Sequence, residues 1–135
     1  MALILIIEDN AANMKLATLL LSSAGHTGLC ATDAEHGLML ARERQPDLIL
    51  MDIQLPGMDG LTATGILKRD PATAAIPVVA LTAMAMKEDR EKSLQAGCDG
   101  YIAKPLRYKE LYAVIDALLL TAAPTPDATP CTTSG

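Results

Sequence analysis

The stretch "ILMDIQLPGMDG", from Ile49 to Gly60, runs from apolar residues straight into a single acid, Asp52. A proline and two glycines follow soon after it. A short apolar run of this kind predicts a strand that is covered on both faces. A carboxylate at the mouth of a buried strand is costly unless something compensates its charge. The stretch therefore predicts a buried strand whose end lies beside a compensating group.

Comparable apolar runs recur along the chain and alternate with helical patterns. The predicted strands are, in chain order, Leu3 to Ile7, "TGLCA" from Thr27, Asp47 to Met51, Ile76 to Thr82, and "GYIA" from Gly100. The predicted helices run from Asn10 to about Ala24, Ala34 to Gln45, Leu61 to Lys68, through "KEDREKSLQA" from Lys87, and from Tyr108 to Leu120. Candidate N-caps for the first three helices are Asn10, Thr32 or Asp33, and Asp59. This alternation predicts an α/β fold, with a five-stranded parallel sheet and helices on both faces.

The bulk composition limits the classes of function. The chain has 135 residues, a length that suits one domain. Its net charge of −5 argues against binding nucleic acid, because such binding depends on Lys and Arg meeting phosphates. The apolar N-terminus lacks a basic region and is too short for a signal peptide or a membrane span. The three widely spaced cysteines, Cys30, Cys98 and Cys131, fit reduced thiols of a cytoplasmic protein.

The polar residues at the ends of the predicted strands point to the site. Strand ends carry Glu8 and Asp9, then Asp52, then Thr82, while Lys104 and Pro105 follow the last strand. In a parallel sheet these ends meet at one edge, where ligands collect. Each feature alone is weak, since an Asp after a strand is often a turn former or a helix cap. Together they predict a cleft with three carboxylates, one hydroxyl and one ammonium group.

Electrostatics narrows what such a cleft can do. Two carboxylates about 4 Å apart repel by roughly 4 kcal/mol at an effective dielectric constant of 20. Oxygen-only ligands favour a hard divalent cation, and Mg²⁺ is commonly held by one or two carboxylates together with phosphate oxygens. A carboxylate beside Mg²⁺, with Lys104 and Thr82 nearby, can act as a nucleophile toward phosphorus. The predicted compensating group is therefore Mg²⁺, helped by the Lys104 ammonium group.

These segments resemble a known family, the response-regulator receiver domains of two-component signalling. The resemblance rests on "IIEDN", "ILMDIQLPGMDG", "VVALTA" and "GYIAKP", in that order, and covers residues 3 to about 121. "NMKL", "MDIQLP" and "LTAMAMKEDREKSLQAGC" look most like stand-alone receivers of the DivK kind or receiver modules of hybrid histidine kinases. The resemblance to receiver domains implies a doubly wound (βα)5 flavodoxin-like fold for residues 1–122. Residues 123–135, rich in Pro and Thr, are expected to be a disordered tail.

The resemblance also implies a role for each site residue. Asp52 would be the phosphoacceptor. Asp9 would ligate Mg²⁺ directly, Glu8 largely through water, and Gln54 through its backbone carbonyl, while Asp52 would add a side-chain oxygen. Lys104 would contact the phosphoryl group, and its bond to Pro105 would be cis. Thr82 and Tyr101 would form the switch pair.

The same resemblance implies the partners. The phosphoryl donor would be a histidine kinase or a histidine phosphotransfer protein. The residues after the last helix are too few for an effector domain, so the signal would pass to a downstream protein or to a second copy of the domain, or else the chain is a fragment of a longer protein such as a hybrid kinase. The second copy would use the face formed by the fourth helix, the last strand and the fifth helix. The chain would be a phosphoacceptor switch that assists its own phosphorylation and dephosphorylation, and not an enzyme in the usual sense.

Other classes of protein fit the residues less well. A haloacid-dehalogenase-type phosphatase needs a second acid two residues after its nucleophile, where this chain has Gln54. A P-loop NTPase needs a Gly-rich loop that ends in Lys-Ser or Lys-Thr, and the chain contains none. A flavodoxin-like electron carrier needs aromatic rings to stack a flavin, and only Tyr101 is near a strand end. A degenerate receiver, acting only as an interaction module, would not need the intact set of acids.

Overall fold

Five strands alternate with five helices in the part of the chain that the computed structural model describes, residues 2–55, 57–82, 87–103 and 106–122. The strands are β1 (Leu3–Ile7), β2 (Thr27–Ala31), β3 (Leu48–Asp52), β4 (Val78–Thr82) and β5 (Gly100–Ala103). The helices are α1 (Ala11–Ser23), α2 (Ala34–Arg44), α3 (Gly60–Arg69), α4 (Lys87–Ala96) and α5 (Tyr108–Ala122). The predicted order of elements is confirmed. Within the described ranges, no helix combines the length and apolar character that crossing a membrane requires.

All strand pairs of the sheet are parallel, and the strand order is β2-β1-β3-β4-β5. This is the flavodoxin-like order of doubly wound sheets, in which the direction of winding reverses between β1 and β3. Ligands of such sheets bind at the carboxyl ends of the strands beside that reversal. The topology therefore places the ends of β1 and β3 side by side at the edge where chemistry is expected.

Alternate residues of each strand pack into two separate cores, because successive side chains point to opposite faces of a sheet. One core lies under α2 and α3 and includes Ile7 and Met51. The other lies under α1 and α5 and includes Ile6 and Leu50. Each fully buried aliphatic side chain contributes about 1.5–3 kcal/mol. Coverage on both faces explains why the strands are apolar throughout, as the sequence predicts.

Side-chain oxygens cap the first three helices immediately after the loops that leave the sheet. Asn10 accepts a hydrogen bond from Asn13 N at 3.0 Å, and Asp33 accepts one from His36 N at 2.8 Å. Asp59 accepts one from Thr62 N at 2.8 Å. Of the two candidates for α2, Asp33 is therefore the cap. Because α1, α2 and α3 follow β1, β2 and β3, these capped helix starts lie at the same edge of the sheet as the strand ends.

The predicted boundaries differ most from the observed ones at the end of α5 and at the start of β4, by two residues each. The sequence predicts a strand from Ile76, but β4 begins at Val78. The backbone N–H of Ile76 closes a turn by donating to Thr73 O, at 3.0 Å. Pro77 has no N–H to donate to a neighbouring strand. The apolar side chain of Ile76 is still buried, which is why its pattern resembles that of a strand.

Candidate functional site

Three carboxylates meet at the carboxyl edge of the sheet. Glu8, Asp9 and Asp52 each present a ligand oxygen, and these three atoms lie within 4.8 Å of one another. Glu8 and Asp52 are buried, with 1% and 3% of their surfaces exposed, whereas Asp9 is exposed. The structure thus brings together the three acids that the sequence predicts to share a cleft.

Strand register accounts for the meeting of these acids. β1 and β3 are neighbours in register, with Ile7 opposite Met51, so the next residue along each strand direction is an acid. The backbone N–H of Glu8 donates to Ala31 O at 3.0 Å, which extends the pairing of β1 with β2 beyond Ile7. Residues far apart in the sequence are therefore held at one place by backbone hydrogen bonds.

The loop after β3 folds back onto Asp52. The backbone N–H of Gln54 donates to Asp52 Oδ1 at 3.0 Å, which orients the carboxylate. The backbone N–H of Gly60 donates to Ile53 O at 2.9 Å, so the first residue of α3 is tied to the end of the strand. These two bonds fix the residues at the beginning and at the end of the loop relative to β3.

Gly60 allows this close approach. A Cβ atom at Gly60 would lie 2.2 Å from the backbone oxygen of Asp52 and 2.8 Å from the Cα of Ile53. Backbone atoms cannot move aside as a flexible side chain can, so only glycine fits there. In the same loop Gly57 has a φ of +75°, a conformation that glycine adopts at little cost.

Two donors from the beginning of α1 contact Glu8. The backbone N–H of Asn10 lies 3.2 Å from Glu8 Oε1, and the side-chain Nδ2 of Asn13 lies 3.4 Å from the same oxygen. The sequence analysis did not identify Asn13 as part of the site. The available signal was its position three residues after the cap Asn10, where a side chain can reach back past the helix terminus.

Thr82 and Tyr101, which the resemblance implies as a switch pair, lie on neighbouring strands. Thr82 is the last residue of β4, 2% exposed, and it is opposite Ala103. Tyr101 is opposite Ala80 and packs, partly buried, against the core under α2 and α3. Because residues two apart on a strand share a face, Thr82 lies on the same face as Ala80 and Tyr101. Asp52 is opposite Leu81, the neighbour of Thr82.

Several predicted features lie outside the described residues. These are the contact of Lys104 with the phosphoryl group, the cis bond between Lys104 and Pro105, and the tail of residues 123–135. The described donor set is nonetheless informative, because it consists of carboxylate oxygens, two of them buried. Such a set fits a hard divalent cation such as Mg²⁺ and fits poorly the softer metals that prefer thiolate or imidazole.

Comparisons with known proteins identify the family of this chain. The sequence model of the family described as "Response regulator receiver domain" matches residues 4–116. The polar-differentiation response regulator DivK of Brucella anthropi is 45% identical over 116 residues, which make up 86% of this chain and 94% of that protein.

Solved structures show the same fold. The receiver domain of a sensor histidine kinase from Pseudomonas aeruginosa, with a magnesium ion coordinated in its active site cleft, has a TM-score of 0.82 and 35% identity, covering 87% of this chain and 97% of that one. A Chloroflexus aurantiacus protein assigned as a response regulator has a TM-score of 0.85 and 28% identity, covering 88% of this chain and 98% of that one. The chain belongs to the response regulator receiver domain family of two-component signalling.

Proposed function

We propose that this protein is a phosphorylation-dependent switch that accepts a phosphoryl group on Asp52. The donor is a phosphohistidine of a histidine kinase or a histidine phosphotransfer protein. The observation that carries the proposal is the placement of Asp52: a carboxylate only 3% exposed at the end of a central strand, oriented by Gln54 N and crowded by two other acids. A structural carboxylate gains nothing from such crowding, whereas a metal-assisted phosphoacceptor requires it.

The transfer step follows from this arrangement. A carboxylate oxygen of Asp52 attacks phosphorus as the P–N bond of the phosphohistidine breaks. The electron pair of that bond remains on the ring nitrogen, and the imidazole leaves neutral if its other nitrogen carries a proton. The backbone N–H of Gln54 donates to Asp52 Oδ1 at 3.0 Å, and this hydrogen bond limits the rotation of the carboxylate. The backbone thus presents one orientation of the nucleophile to the donor.

The acidic cluster of Glu8, Asp9 and Asp52 would hold the metal. Asp9 is proposed as a direct ligand, Glu8 as a ligand largely through water, Asp52 as the source of one side-chain oxygen, and Gln54 as the source of a backbone carbonyl. A bound Mg²⁺ supplies positive charge that offsets the crowded carboxylates and the developing charge on the phosphoryl oxygens. Lys104 is proposed as a second cation at the phosphoryl group, with a cis bond to Pro105.

Thr82 and Tyr101 are proposed to convert the new charge into a change of surface. A phosphoryl oxygen offers the Thr82 hydroxyl a strong, charge-assisted acceptor. A shift of Thr82 toward it opens space on the face that it shares with Tyr101, and the ring turns inward to fill it. The reader of the altered surface is a downstream protein or a second copy of the domain docked on the face of α4, β5 and α5. Residues 1–122 are proposed as the receiver domain that carries this switch.

The test uses a small phosphodonor in place of the partner. The protein is incubated with acetyl phosphate and Mg²⁺, and its intact mass is measured. We expect a gain of one phosphoryl group, which the Asp52→Asn variant should lose. Asp59→Asn is the matched control: it changes another Asp to Asn in the same loop, and Asn also caps helices well. Full labelling of Asp52→Asn, or no labelling of the parent, would contradict the proposal.

A further inference from the structure

We infer that Asn13 positions Glu8 and thereby sets the Mg²⁺ affinity of the acidic cluster. This inference rests on the proposed metal site, and it concerns a residue to which the sequence analysis assigned no role. Two N–H groups from the first turn of α1 converge on one oxygen of Glu8. Asn10 N lies 3.2 Å from Oε1, and Asn13 Nδ2 lies 3.4 Å from it.

The start of α1 is a modified capping box. In a capping box the N-cap side chain accepts from the backbone N–H of the third helical residue, whose own side chain accepts from the N-cap N–H. The first half is present, because Asn10 Oδ1 accepts from Asn13 N at 3.0 Å. In the second half, the N–H of Asn10 instead donates to Glu8. Asn13 is thereby released from capping, and its amide donates to the same carboxylate.

The chemistry of the two groups fixes the direction of the contact. An ionised carboxylate has only acceptor oxygens, so the amide must present its N–H group to Glu8. Two donors on Oε1 set the plane of the carboxylate and therefore also the position of Oε2. One oxygen of Glu8 lies within 4.8 Å of the ligand atoms of Asp9 and Asp52. Partners outside the ligand set that orient a ligand typically change metal affinity by about 10–100-fold.

The first experiment compares Asn13→Ala with a second variant of α1 that does not contact Glu8. The dissociation constant for Mg²⁺ alone is measured by titration calorimetry, on the full chain without a phosphodonor. We expect Asn13→Ala to weaken Mg²⁺ binding about tenfold. Ala is a better helix former than Asn, so the metal-free variant should melt no more than a few degrees below the parent.

Leu19→Gly is the control for damage to the helix. Leu19 is an exposed residue of α1, and the two hydrogen bonds from this helix to Glu8 do not involve it. Glycine inside a helix typically costs about 0.5–1 kcal/mol, so we expect this variant to melt at a lower temperature and to keep its Mg²⁺ affinity within about twofold of the parent. An equal loss of affinity in both variants would overturn the inference, because the effect would then come from a weakened helix in general.

The second experiment tests whether Asn13 acts through Glu8. Asn13→Ala is repeated in a Glu8→Ala background, and the two losses of Mg²⁺ affinity are compared. If Asn13 acts through Glu8, removing it from the Glu8→Ala protein should change the dissociation constant by less than about twofold. Additive losses would overturn the inference while leaving the metal site standing. Absence of Mg²⁺ binding by the parent would instead contradict the proposed function itself.

Discussion

Cys98 illustrates how the surroundings of one residue decide whether it is reactive. Its side chain is buried just before β5, and its Sγ lies 3.8 Å from Thr64 Oγ1 on α3. Burial, the largest influence, raises the pKa of the thiol above its ordinary value of 9.0, and this outweighs the opposing hydrogen bond with Thr64. Because the thiolate is the reactive form, we expect Cys98 to be inert, whereas Cys30 is exposed.

The reactivity of Cys98 toward a thiol reagent can be measured directly. In a Cys30→Ser/Cys131→Ser variant, the Cys98 thiol should react with a thiol reagent at about pH 8 at least ~100-fold more slowly than in the denatured protein. Above pH 9.0 the unfolded thiol loses its proton before the folded one. The folded state then binds more protons, so the free energy of unfolding falls as pH rises further. Cys98→Ala should lack this fall, and rapid native labelling would contradict the prediction.

At the scale of elements, one side chain joins α3 to the beginnings of β4 and β5. Lys68 Nζ donates to Ile76 O and to Asp99 Oδ2, each at 2.8 Å, and the same Asp99 oxygen accepts from Val78 N at 2.9 Å. The Lys68 side chain is only 21% exposed. The Asp99 side chain is 40% exposed, but both partners of this ion pair also hydrogen-bond to backbone groups, unlike those of a typical surface pair.

We therefore expect Lys68→Met to lower the free energy of unfolding by about 1–2 kcal/mol, because Ile76 O loses its side-chain donor and Asp99 keeps only the bond from Val78 N. Arg42→Met is the comparison: it breaks a pair with Asp70 in which the Arg42 side chain is 63% exposed, and it should cost less than about 0.5 kcal/mol. Urea denaturation of both variants measures the difference. Equal costs would show that the backbone contacts of Lys68 add no stability.

The proposed switch also belongs to the scale of elements, because Thr82 and Tyr101 lie on the paired strands β4 and β5. Thr82→Ala removes a buried hydroxyl but leaves Asp52 and the acidic cluster intact, so the variant should still be phosphorylated. It should lose most of the phosphorylation-dependent gain in affinity for a partner or in dimerisation, a coupling of about 1–3 kcal/mol. Affinity is measured with and without beryllofluoride, a mimic of the phosphoryl group. An undiminished gain would mean that the signal leaves the site by another route.

The observed strands, helices and loops differ in how far they are predictable from the sequence. The strands were predictable because coverage on both faces demands continuous apolar runs, and the acids because parallel strand ends share an edge. The choice between Thr32 and Asp33 as a cap was not, since both offer a side-chain oxygen. The contact of Asn13 with Glu8 depends on how α1 lies against the end of β1, and the clash at Gly60 depends on the path of a loop. Neither spatial relation is encoded in a local pattern.

At the scale of the whole molecule, the fold gathers three carboxylates at one edge of the sheet. The reversal of winding between β1 and β3 places Glu8 and Asp52 beside each other, both nearly inaccessible to water. The aliphatic cores on the two faces of the sheet stabilise this arrangement, because a local relaxation would disrupt the packing of β1 and β3. A cation that binds the assembled cluster and not the unfolded chain must therefore stabilise the entire domain.

Thermal unfolding in Mg²⁺ and in EDTA measures this stabilisation. At a concentration of Mg²⁺ ~100 times its dissociation constant, binding adds about 2.7 kcal/mol to the free energy of unfolding, so the melting temperature should rise by several degrees relative to protein in EDTA. Asp9→Ala should abolish the rise, because it removes the exposed acid of the cluster. Its metal-free melting temperature should be no lower than that of the parent, since one source of repulsion is gone. Identical melting curves of the parent in EDTA and in Mg²⁺ would exclude a metal site formed by these three carboxylates.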